Sequence, residues 1–244
     1  MNPELLILFV TSVFVIAMLY SSVGHAGASG YIAIMSLLSF APSVIKPTAL
    51  TLNILVASIA AWQYFRAGHF SWTLFWPFAL LAVPFAYIGG GLNLPIHLFK
   101  LILGLVLIYS AMRFIFQSKQ KVQIHSPPRI QAMASGAGIG LLSGLTGTGG
   151  GIFLTPLLLF MGWADAKRAA AVSALFVLVN SVSGLAGNIS ATKSLPPFIV
   201  PLLIAAALGG SLGSYFGSRR IQPSTIKNLL ALVLLIAGLK LIFT

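Results

Sequence analysis

The sequence predicts an all-α polytopic membrane protein made of two inverted-topology repeats, each a Gly-rich broken or re-entrant hairpin followed by three spanning helices. Three observations predict it. Of the 244 residues 58% are hydrophobic and only 7% charged, with a mean hydropathy of +1.02, whereas a water-facing surface needs about a quarter charged residues. Apolar runs of about twenty residues recur along the chain, each enough to cross roughly 30 Å of hydrocarbon. The two halves also repeat in sequence while differing in where their basic residues fall.

Breaks at Gly, Pro and charge divide the chain into ten helical pieces. The first, 5–20, begins within MNPELLILF, which holds Glu4 but no Lys or Arg. It lacks the basic start of a cleaved signal and reads as a retained helix. Four pieces are expected to be short: 5–20 with 30–41, and 130–144 with 151–162. Each pair flanks a tract of small residues, SSVGHAGASG at 21–30 and SGLTGTGGG at 143–151. The pieces 47–66, 72–91, 96–116, 168–187, 197–217 and 224–243 are long enough to span. The longest polar stretch, 117–129, is too short for an aqueous domain. The expected organisation is therefore a first transmembrane repeat at 1–116, a basic cytoplasmic linker at 117–129, and a second repeat at 130–244.

The repeat is clearest at the ends of the halves. KLILGLVLIYSAMRFIF at 100–116 aligns without gaps on KNLLALVLLIAGLKLIF at 227–243, with Lys100 on Lys227 and Arg113 on Lys240. Earlier, Gly30 falls on Gly151 and Lys46 on Lys167, both 121 residues apart. Aligned basic residues carry more weight than aligned leucines, which match by chance in any apolar helix.

Orientation follows from the positive-inside rule. Lys119, Lys121 and Arg129 place the linker in the cytoplasm. Counting spans from there puts Arg66, Arg113, Lys167, Arg168, Arg219, Arg220 and Lys227 inside with them, and Lys46, Lys100, Lys193 and Lys240 outside. One comparison decides between parallel and inverted copies. The loop near 92–99 has no basic residue, while its counterpart near 217–226 has Arg219 and Arg220. Copies facing opposite ways predict that difference, and inverted repeats are the architecture of alternating-access transporters.

The two small-residue tracts carry the chemistry. Irregular backbone inside a bilayer persists only where protein or a water-filled cavity satisfies it. A helix starting after each tract, near Tyr31 and Ile152, presents bare N–H groups and the positive end of its dipole. Glycines there let an anion approach the backbone. Gly27, Ala28, Ser29 and Gly30 on one side, and Gly149, Gly150 and Gly151 on the other, are the expected donors around one midplane void. Ser22, Thr146 and Thr148 add hydroxyls, and His25 adds a titratable ring. Asn53 and Asn180 lie on the helices after the hairpins, either lining the pocket or bonding a neighbouring helix. Packing glycines would be the alternative use of such tracts.

Other classes are poorly served. With no cysteine there is no thiolate, disulfide or Cys-ligated metal, and no histidine cluster at metal spacing. No nucleophile–base set or carboxylate pair is present, so neither an enzyme nor a cofactor is expected. The formal charge of +12 would suggest nucleic acid in a soluble chain. Here the basic residues cap apolar runs, as topology requires.

At the duplicated tracts, SGLTGTGGGIFLTPLLLFMGWADAKRAAAVSAL (143–175) and SSVGHAGASGYIAIMSLLSFAPSVIKPTALTLN (21–53), the chain resembles the sulfite exporter TauE/SafE family. The resemblance covers nearly the whole chain. Its motif falls on Gly147, Gly149, Gly150, Gly151 and Pro156, and in the first copy on Gly27, Ser29 and Gly30, where GHAGASG replaces a glycine run. The resemblance implies a multi-pass protein of the bacterial inner membrane exporting a small sulfur-containing anion such as sulfite or sulfoacetate. Membrane lipid is the surrounding partner, and a homo-oligomer is compatible with the sequence. The residues leave two other readings open, an anion channel and a structural membrane subunit that needs a partner.

Overall fold

The computed structural model describes residues 3–92, 108, 112, 124–187 and 195–222, with scattered positions between 224 and 239. Among these, every regular element is helical. Eight helices are delimited: α1 Pro3–Ser21, α2 Ala28–Leu37, α3 Pro42–Arg66, α4 Trp72–Gly91, α5 Arg129–Thr146, α6 Gly151–Phe160, α7 Ala166–Ala186 and α8 Ile199–Arg219. The expected helix 96–116, most of 224–243, and linker positions 117–123 lie outside the described residues.

Five helices, α1, α3, α4, α7 and α8, are long and apolar enough to cross a membrane. Only α2 and α6, of 10 residues each, are short. The sequence reading expected the first arm of each hairpin to be short as well. Instead α1 has 19 residues and α5 has 18, each about 28 Å long. Helix continues through Ser21 and through Ser143–Thr146, where Gly144 fits against Ala86 of α4 and Thr146 Oγ1 donates to the Leu142 carbonyl at 2.7 Å. The true breaks are therefore shorter than the tracts, at 22–27 and 147–150, and Ala28, Ser29 and Gly30 form the first turn of α2.

Local signals fix the ends. Gly147, in the left-handed region at φ 73°, closes α5 with its N–H on the Ser143 carbonyl, and Gly150 at φ 83° precedes α6. The Asp165 carboxylate accepts from the backbone N–H of Lys167 and Arg168 and caps α7, where an anion also suits the helix dipole.

The packing exchanges elements between halves. α4 lies along α5 and α1 along α8, while α3 packs on α7; α3 also meets α8 as α4 meets α7. Two contacts are built on glycines four residues apart. A Cβ on Gly136, Gly140 or Gly144 of α5 would run into the carbonyls of Phe78, Ala82 or Ala86 of α4. Gly209, Gly213 and Gly217 of α8 stand likewise against Phe14, Met18 and Ser22 of α1. Close backbone approach is what holds helices together where lipid competes for every apolar side chain. Outward, Leu8, Leu80, Ile204 and Leu208 are exposed, as lipid-facing residues must be. Exposed Trp62, Trp72 and Phe216 gather with Arg66 and Arg219, which lie over the Trp62 and Tyr215 rings at 5.6 and 4.7 Å. Such aromatic and basic residues suit a membrane–water boundary.

Candidate functional site

The first break reaches the second through one side chain. His25, in the turn between α1 and α2, is buried, and its Nε2 lies 2.9 Å from Oγ1 of Thr155, one turn into α6. Thr155 Oγ1 donates a hydrogen bond to Ser173 Oγ of α7 at 2.7 Å. A Cβ built on Gly151 would sit 3.1 Å from Cδ2 of His25, so the ring lies directly against the start of α6. Asn53, midway along α3, reaches the same break from the other side. Its Nδ2 donates to the Thr148 carbonyl at 3.3 Å and to Ser181 Oγ at 3.4 Å. Two residues of the first half thus close on the backbone of the second tract.

The cluster is dry-walled yet polar inside. The Cβ side of Gly149 faces Val177, Asn53 and Ser181; that of Gly150 faces Phe176, Ile139 and Ser143. Side chains, rather than the open void expected from the sequence, lie against these glycines. Among the described residues, Nδ1 of His25, Oδ1 of Asn53, Oγ of Ser143 and Oδ1 of Asn180 are buried polar atoms with no hydrogen-bond partner. An unsatisfied buried polar atom costs about 1–3 kcal/mol, so those of His25, Asn53 and Ser143, which flank Gly149, Gly150 and Gly151, call for an occupant or a function.

The remaining expected site residues divide. Thr146 and Thr148 pair through their hydroxyls at 2.8 Å, and Gly147 sits beside Lys46 and Leu50 of α3. Asn180 is buried on α7 and spends its amide on the Phe176 carbonyl at 3.0 Å. In the first tract, Ser29 Oγ donates to the Tyr20 hydroxyl at 3.0 Å. The Cβ sides of Gly27 and Gly30 are filled by Ile16, with the Tyr31 ring also on Gly27. Ala28 is buried in that first turn. Ser22 is turned back onto the Leu19 carbonyl at 2.6 Å, and its own carbonyl accepts from Tyr64 at 2.6 Å. The second tract is thus where the polar groups of both halves converge; the first contributes chiefly His25.

Thr155, Ser181 and Ser143 were missed by the sequence reading. A signal existed for Thr155, the one hydroxyl within GIFLTPLLLF; the serines are unremarkable in small-residue helices. An apolar groove of about 420 Å³ between α1 and α8, lined by Val10, Phe14, Ile204 and Leu208 among others, offers an anion nothing.

Comparison with known proteins bears on what this arrangement serves. The family model described as "Sulfite exporter TauE/SafE" matches residues 8–241. The chain belongs to the TauE/SafE family. It is a multi-pass integral membrane protein, and its function is that of a membrane transporter of this family. It is 42% identical over 235 residues, 94% of this chain and 95% of the relative, to "Probable membrane transporter protein y4hK" of Sinorhizobium fredii. It is 29% identical over 105 residues, 43% of this chain and 38% of the relative, to "Probable membrane transporter protein YunE" of Bacillus subtilis. No solved structure matches it. Asn53 and His25 both approach the backbone at 148–151, within the residues the family model matches.

Proposed function

We propose that this TauE/SafE protein is a secondary transporter, working as an exporter, of a small sulfur-containing anion such as sulfite or sulfoacetate. It would act in the bacterial cytoplasmic membrane by alternating access between two inverted repeats. The observation that carries the reading is the meeting of His25 with Gly151 and Thr155, inside a cluster of buried polar atoms that lack partners.

The packing supports the repeat. Exchanging the halves, so that α1 to α4 stand for α5 to α8, maps α4–α5 onto α8–α1 and α3–α8 onto α7–α4, all of which occur. Lys46 and Lys167, aligned in sequence, lie toward opposite ends of the bundle: Lys46 bonds the last turn of α4, while Lys167 lies with Arg66, His69 and Ser218. Inverted copies predict that separation.

The tight packing of Val177 and Phe176 on the glycines corresponds to a closed form. Separating the halves would open the Gly149–Gly151 N–H groups, the Thr148 hydroxyl and Ser143 to an anion. The Asn53 amide adds a donor or an acceptor according to its flip. An ion gradient would drive the cycle, with no cofactor.

Purified protein in proteoliposomes should take up radiolabelled sulfite or sulfoacetate at a rate that saturates with concentration. Silence toward both anions contradicts the reading. Non-saturating flux with single-channel conductance indicates a channel instead.

A further inference from the structure

The chain has 14 lysines and arginines but two carboxylates, Glu4 and Asp165. Asp165 is occupied by the start of α7 and by Arg168 at 3.5 Å. Lys46, one turn into α3, is half-buried in a candidate span. Its ammonium donates to the Gly90 carbonyl at 2.9 Å, in the last turn of α4, and neither carboxylate comes within ion-pair distance of it. The carbonyl end of a helix dipole holds a cation loosely, and two of the three ammonium protons remain to be used. The methylene stem lies along the second tract: a Cβ on Gly147 would meet Lys46 Cγ at 3.1 Å.

Lys167 gives the contrast. Its ammonium also approaches the carbonyl of a final helical turn, Ser218 of α8, at 3.4 Å. It has Asp165 two residues away in sequence, whereas Lys46 has no ion pair among the described residues. Lys46 stands near the start of α3, at the end of a candidate span, where an anion entering the bundle beside the second tract would meet its charge.

Resting on the transport reading, we propose that Lys46 recruits the anion to the second tract, its ammonium taking the charged group of the substrate as counterion beside Gly147. The Gly90 carbonyl holds the ammonium between loads. The lysine thereby sets specificity for negative charge, while the tract glycines admit the backbone contacts.

Sulfoacetate uptake by proteoliposomes tests this. Lys46→Gln should raise KM about tenfold or more, with the maximal rate within about twofold of wild type, and Lys46→Arg should keep KM within about threefold. An unchanged KM in Lys46→Gln, or an Arg variant as poor as the Gln variant, overturns the proposal. Because the chain has no cysteine, Lys46→Cys carries a single thiol, and one preparation can be modified in two ways. An aminoethyl methanethiosulfonate should restore uptake and the methyl reagent should not; equal effects overturn the proposal. Sulfoacetate is used because sulfite would cleave the mixed disulfide. A wild type that transports neither sulfite nor sulfoacetate refutes the transport reading itself, whereas a transporting wild type with an indifferent Lys46 refutes only this inference.

Discussion

Nε2 of His25 lies 2.9 Å from Oγ1 of Thr155, and that oxygen donates its own proton to Ser173 at 2.7 Å. A hydroxyl has one proton to give. With Thr155 donating to Ser173, the arrangement assigns the hydrogen to Nε2 of His25 and leaves Nδ1 as an acceptor. Nδ1 has no partner among the described residues, and in the proposed cycle it is the atom that would take up a proton.

The pH dependence of uptake follows. If proton and anion bind together at His25, uptake should fall as pH rises and the imidazole gives up its proton. His25→Gln keeps a donor for Thr155 but loses the titrating nitrogen, so its profile should be flat. Superimposable profiles of the two proteins, measured with sulfoacetate in proteoliposomes, would remove the proton role.

Asn53 separates function from stability. Its two bonds are long, 3.3 and 3.4 Å, and its Oδ1 is unpartnered. Asn53→Leu should therefore change stability by about 1 kcal/mol or less, while lowering uptake at least about tenfold, some 1.4 kcal/mol. A variant that melts and transports like wild type would place Asn53 outside the site.

Gly150 and Gly138 make opposite predictions from the same residue type. Gly150 has φ 83° and would press a Cβ within 2.9 Å of the Phe176 ring; Gly138 is exposed on α5 with nothing within 4 Å. Gly150→Val should destabilise by about 2–4 kcal/mol, combining left-handed strain with overpacking. Gly138→Ala should be neutral or stabilising by up to about 1 kcal/mol. Thermal unfolding in detergent decides, and a Gly150→Val that melts with wild type contradicts the packing described.

The glycine ladders should be intolerant at every rung. Gly140→Leu and Gly213→Leu each drive a side chain into a facing carbonyl, of Ala82 and of Met18. Each should cut the yield of folded protein well below that of Gly138→Leu. Equal yields would mean that the backbones do not approach as described.

Helix spans were legible because hydrocarbon thickness sets a length that composition reveals, as at Trp72–Gly91, expected and found. Helix ends near the tracts were not. Ser143, Gly144 and Thr146 read as breakers, yet inside a protein core their hydroxyls and small volumes serve helix contacts. Glycine type alone could not separate Gly144, which fits against Ala86, from Gly150, which needs positive φ. His25 and Asn53 stood out because polar residues in apolar runs are costly. Thr155 and Ser181 did not, since only the folded chain shows what they face.

Calorimetric titration of purified protein with sulfoacetate tests the central claim most directly. The account predicts one saturable site per chain, weakened both by His25→Gln from the first half and by Thr148→Val from the second. Binding that ignores both substitutions, or no binding of either sulfoacetate or sulfite, would contradict a single anion site shared by the two halves.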